Sequence, residues 1–113
     1  MPAGYQDLFL EQGTTFSTTI TLDDVDGVAY DLTGMQAKGQ IRRSYYSANA
    51  TATFIVTIPT PTEGGIILNL AANTTANIAA GRYVYDVAIK DSSNTITRIL
   101  EGTVSVLPQV TRF

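Results

Sequence analysis

Residues Gly81–Val106 read GRYVYDVAIKDSSNTITRILEGTVSV. Tyr83, Tyr85, Val87 and Ile89 alternate with Arg82, Val84, Asp86, Ala88 and Lys90. That is a period of two, the mark of an extended strand with one buried face. The tetrapeptide DSSN, Asp91–Asn94, consists of turn formers. Beyond it the alternation resumes, with Ile96, Leu100, Val104 and Val106 on one face. Thr95, Thr97, Glu101, Thr103 and Ser105 take the other. The stretch therefore predicts an antiparallel hairpin. Gly102 stands inside its second strand, where glycine marks a bulge or a close backbone approach.

The same grammar runs upstream. In TFSTTITL, Phe16, Ile20 and Leu22 alternate with Ser17, Thr19 and Thr21. Asp26-Gly27 reads as a tight hairpin turn. Met35, Ala37, Gly39 and Ile41 alternate with Gln36, Lys38, Gln40 and Arg42. Phe54, Val56 and Ile58 oppose Thr53, Ile55 and Thr57. PTPTEGG is a loop and IILNL a short strand. AANTTANIAAG holds the one helical turn, with Asn73 expected as its cap and Gly81 as its close. About seven short strands with turns between them predict an all-β fold. The expected architecture is an antiparallel, immunoglobulin-like β-sandwich.

Composition agrees. The 113 residues suit one domain, and no linker divides them. Seventeen threonines favour pleated, half-exposed surfaces. The net charge is −3 and the seven lysines and arginines are scattered, so a nucleic-acid partner is not expected. With no Cys and no His, thiolate sites, disulfides and the commonest general base are excluded. No apolar run has the length of a signal or a membrane span, so no membrane partner is expected either.

Few residues offer chemistry. Asp23, Asp24 and Asp26 fit a calcium-binding loop or a plain acidic hairpin tip, and no metal is assigned to them. Asp86 and Glu101 would lie across the hairpin from each other. They fit a glycosidase pair, or a cross-strand charge set with Arg82, Lys90 and Arg98. No nucleophile elbow, phosphate loop or HExxH motif is present, so neither catalysis nor a cofactor is expected. Arg42, Arg43, Tyr45 and Tyr46 combine residue types enriched in interface centres, and equally fit a strand end running into a loop. The ends are apolar. Tyr5, Leu8, Phe9 and Leu10 form either an N-terminal arm (residues 1–12) for a neighbouring subunit or the first strand. Val110 and Phe113 lie in a C-terminal tail (residues 107–113). On the arm reading, removing residues 1–10 abolishes assembly and spares the fold.

Five motifs in order carry a resemblance: Gln12-Gly13 with Thr15-Phe16, DLTG (Asp31–Gly34), IRRS (Ile41–Ser44), GRYVYDV (Gly81–Val87) and EGTVSVLPQVTR (Glu101–Arg112). Across nearly its whole length the chain resembles a small β-sandwich domain of tailed-phage and prophage virion proteins. It is similar to the tail-docking domains of baseplate and receptor-binding-apparatus proteins. The resemblance implies a non-catalytic virion protein, made in the host cytoplasm and present in many copies or as a homo-oligomer. Its partners would be other virion proteins, either tail and baseplate or capsid subunits. The longer C-terminal part common in such baseplate proteins has no counterpart after Phe113, which favours a small accessory subunit. A capsid decoration (cement) protein is one alternative. A carbohydrate-binding or adhesin-like module using Arg42, Tyr45 and Tyr46 is another.

Overall fold

The computed structural model describes residues 4–23 and 26–112. Asp24 and Phe113, both candidates above, lie outside the described residues. Nine strands are described: β1 (Gly4–Tyr5), β2 (Leu8–Glu11), β3 (Phe16–Thr21), β4 (Gln36–Arg42), β5 (Ala52–Thr53), β6 (Ile55–Thr57), β7 (Gly65–Leu70), β8 (Gly81–Lys90) and β9 (Ile96–Leu107). A short helix, α1 (Ala72–Ala76), joins β7 to β8. The protein is an all-β sandwich. One sheet runs β1-β9-β8-β4-β5, with β2 also on β9, and the other runs β3-β7-β6. The orders β4-β8-β9 and β3-β7-β6 match the C-F-G and B-E-D pairings of an immunoglobulin sandwich, with β5 in the C′ place.

The hairpin forms as its alternation predicts. Tyr83, Tyr85, Val87 and Ile89 are buried, and β8 pairs antiparallel with β9. Asp91 builds the turn, its Oδ1 accepting from the backbone N–H groups of Ser93 and Thr95, both at 2.9 Å. One face assignment is corrected. Val87 pairs with Leu100 and Ala88 with Arg98, so Ile99 is an extra residue, a β-bulge. The bulge reverses the phase: Ile99 is buried, and Ile96 points outward at 68% exposure.

The core lies between the sheets, with Ile41, Ile66, Leu68, Val87 and Val104 fully buried. Immunoglobulin domains commonly place a disulfide and a Trp here; this chain has neither residue type. Phe54 fills the space instead, its ring centroid 6.2 Å from that of Phe16 and 6.2 Å, edge-on, from that of Tyr85. A Cβ at Gly39 would stand 3.0 Å from the Phe54 ring, so glycine makes room for it. The chain also changes sheets at Phe54, since β5 pairs with β4 and β6 with β7. The Tyr83 hydroxyl donates to the carbonyl of Ala79 at 2.6 Å, the tyrosine corner of this fold.

Helix α1 departs from expectation. Its N-cap is Ala71, with no side-chain cap bond, and Asn73 lies within the helix. Gly81 opens β8 rather than closing α1. Buried Thr75 replaces the cap as anchor: its hydroxyl lies 2.8 Å from the carbonyl of Thr14 and 3.0 Å from that of Ala72.

The N-terminal segment belongs to the sheet. β1 and β2 pair parallel to β9, the parallel exception in an otherwise antiparallel sandwich. Leu8 and Leu10 are 5% and 1% exposed. Burying each contributes about 1.5–3 kcal/mol. Of the two readings of this segment, arm or first strand, residues 4–5 and 8–11 form strands on β9. The polar groups of Gln12 extend the same joint: Nε2 donates to the Ile78 carbonyl at 2.7 Å, and Oε1 accepts from the Gln109 N–H at 3.2 Å.

Candidate functional site

The segment between β1 and β2 crosses Gly102. The Gln6 N–H donates to the Glu101 carbonyl at 3.0 Å, and the Gln6 carbonyl accepts the Tyr85 hydroxyl at 2.6 Å. Asp7 then turns outward, where its Oδ1 accepts from Thr103 Oγ1 at 2.7 Å and from the Thr103 N–H at 3.3 Å. Those bonds hold the Asp7 carboxyl below its ordinary range. The Asp7 carboxylate in turn pushes the neighbouring Tyr5 phenol upward.

Burial pushes the Tyr85 phenol up to about 12, with Asp7 and Tyr5 adding to it. The folded state thus prefers the neutral phenol, whose ordinary pKa is about 10. This contribution is present below about pH 10 and is lost as pH rises through 12. The folded protein should therefore lose stability across that window, and the loss should be shallower in Tyr85→Phe. Denaturant melts at stepped pH check this, and identical slopes for the two proteins would contradict it.

The outer face of the larger sheet gathers several candidates. Across it run rows set by register: Tyr5, Glu101, Asp86 and Gln40; then Phe9, Ser105 and Arg82. Tyr5 is 65% and Phe9 67% exposed, on the side opposite Leu8 and Leu10. Tyr45 folds onto the same face, lining a groove of about 170 Å³ with Gln40, Arg42, Val84, Asp86 and Arg98.

A built turn holds Tyr45 and Tyr46. The Ser47 N–H donates to the Ser44 carbonyl at 3.2 Å, and the Ser44 N–H donates to Ser47 Oγ at 3.0 Å. Arg42 clamps the turn from below, its Nη1 donating to the Ser47 carbonyl and its Nη2 to Gln40 Oε1, both at 2.9 Å. Tyr46, at the tip, is 96% exposed. Arg43 goes elsewhere, with its guanidinium 5.1 Å from the centre of the Tyr83 ring. Sequence grouped these four residues; the structure divides them into two displayed tyrosines, one clamp and one cap on the core. Val110 is 95% exposed at the chain end, apart from this face.

Asp86 and Glu101 are register partners, and Arg98 sits between them. Arg98 Nε is 3.3 Å from Asp86 Oδ2, and its Nη1 is 3.1 Å from Glu101 Oε2. Of the expected charge set, Arg98 pairs with both carboxylates, and neither Arg82 nor Lys90 does so among the described residues. The adjoining groove is smaller than the ~300–1,000 Å³ usual for a ligand cleft. At the acidic tip, Asp23 bridges to Ala29 across the Asp26-Gly27 turn. Among the described residues, no three Asp or Glu side chains converge as metal ligands would. No described helix is long and apolar enough to cross a membrane. No protein-family model and no curated protein sequence matches the chain.

Phe9 and Tyr45 are far apart in sequence, and only the parallel pairing of β2 on β9 puts them on one sheet face. Parallel pairing leaves no local signature, because its two strands are not joined by a turn. Leu8-Phe9-Leu10 is a continuous apolar run in the sequence, so nothing there marks Phe9 as the outward one.

Proposed function

We propose that the chain is a non-catalytic structural subunit of a tailed-phage virion, present in many copies. It docks on the tail or baseplate through the outer face of its larger sheet. One observation carries the docking: Tyr5, Phe9, Tyr45 and Tyr46 stand exposed while bonds and packing inside the chain fix the backbone beneath them. Large aromatics on a stiff support lose little entropy on binding and are the residues interfaces most often use as anchors. The virion assignment rests on the sequence resemblance.

The triple variant Phe9→Ala, Tyr45→Ala, Tyr46→Ala should fold normally. Its stability should stay within about 1 kcal/mol of wild type, because all three side chains are mostly solvated. Its incorporation into particles should fall by about tenfold or more. Antibody-gold labelling of intact particles locates the wild-type protein. Label at the distal tail supports the reading. Label over the head transfers it to the decoration role. Absence of label contradicts a virion role and leaves glycan binding at the Tyr45 groove as the reading to test.

A further inference from the structure

Strand β3 is a sheet edge, pairing on one side with β7 and, among the described residues, with no strand on the other. It is the longest such edge. β5 has two residues and β6 three, while the β1–β2 edge is interrupted at Gln6-Asp7. Natural edges are usually blunted by charge, proline, bulges or shortness. β3 has six residues in unbroken register with β7, so it carries no bulge. From Gln12 to Leu22 the sequence has neither a charged residue nor a proline. An edge left in this state is a template for another strand.

We propose that β3 pairs antiparallel with β3 of a second copy about a two-fold axis at Thr18. The choice of a second copy follows from pattern. Read in either direction from Thr18, residues 16–20 run hydroxyl (Ser17 or Thr19) then apolar (Phe16 or Ile20), and their burial alternates symmetrically, so a two-fold pairing matches like with like. The uncharged edge adds no unpaired charge to it. The axis position follows from the inner face, where Phe16, Thr18 and Ile20 are half-buried. An axis at Thr18 sets Phe16 against Ile20 of the second copy, twice, and Thr18 against itself. An axis at Thr19 would set Ile20 against Thr18 and leave Phe16 facing Leu22, beyond the end of β3, so the apolar match within the strand is lost. On the outer face, Ser17 meets Thr19 of the second copy. The pairing joins two three-stranded sheets into one of six strands. It leaves the aromatic face free, so it stands whether or not the docking proposal does.

One strand edge buries less than the ~1,200 Å² of a stable specific interface, so the pair should be weak, with Kd on the order of 100 μM. Sedimentation equilibrium of the full chain, up to about 1 mM, should show mass rising from 12.1 kDa toward twice that value. Ser17→Lys/Thr19→Lys brings lysine against lysine across the axis twice, and should weaken association at least about tenfold. Ser17→Lys/Thr19→Glu brings lysine against glutamate in the same register, and should associate at least as well as wild type. Both positions are exposed, and melts confirm that each variant folds. A wild-type monomer at all concentrations overturns the pairing and leaves the edge to a strand of another protein. A double-lysine variant that associates like wild type also overturns it. A lysine–glutamate variant that fails to associate overturns the register.

Discussion

Deleting the chain through Glu11 should lower the melting temperature by roughly 15 °C or leave the protein unfolded at room temperature. The deletion removes buried Leu8 and Leu10 from the core. Loss of one such leucine side chain typically costs about 2–5 kcal/mol. It also strips the hydrogen-bonded neighbour from β9 along Val104–Leu107 and takes away the acceptor of the Tyr85 hydroxyl. Set against a total stability of about 5–15 kcal/mol, these losses threaten the fold itself. Circular dichroism melts of the full and shortened chains decide the matter. Coincident melts would mean that the N-terminal strands are peripheral and that an arm reading is viable after all.

Gly102→Ala should be nearly as damaging for the addition of one methyl group. Its Cβ would fall 2.0 Å from the Gln6 carbonyl oxygen and 2.8 Å from the Gln6 carbonyl carbon. Both are backbone atoms, and the Gln6 N–H is itself bonded to Glu101. Either the β1–β2 crossing lifts off or β9 bends, and we expect a loss of about 3 kcal/mol. Gly65→Ala is the matched control, because a Cβ there meets nothing within 4 Å. It should change stability by less than about 1 kcal/mol. Denaturant unfolding of the two variants measures the difference. Equal and small effects would contradict the close crossing at Gly102.

These two experiments concern a joint that the sequence shows only in part. Tyr83, Tyr85, Val87 and Ile89 announced β8 because a period of two persists over ten residues. Gly102 announced a close approach but not what approaches, since its neighbour is Gln6, at the far end of the chain. The bulge at Ile99 was invisible for a related reason. An extra residue shifts phase without leaving a compositional mark, so plain alternation puts Ile96 on the inner face while the bulge turns it outward. Asn73 misled as a helix cap because Thr75, reaching across to Thr14, holds α1 through a tertiary contact. The proposed docking face shows the same limit. Tyr45 and Tyr46 stand out by type, whereas the meeting of Tyr45 with Tyr5 and Phe9 on one sheet face requires the parallel register on β9.

Docking through the outer face of the larger sheet is the proposal that most needs testing in assembled particles. Hydroxyl-radical footprinting compares the free protein with purified particles that carry it. Oxidation is read by mass spectrometry at Tyr5, Phe9, Tyr45 and Tyr46. Docking through the larger sheet predicts that labelling at these four falls severalfold on assembly. Ile55, which is 62% exposed on the opposite sheet, should keep its free-protein value. Unchanged labelling at the four aromatics, with protection at Ile55 instead, would place the contact on the other side of the sandwich and contradict the account.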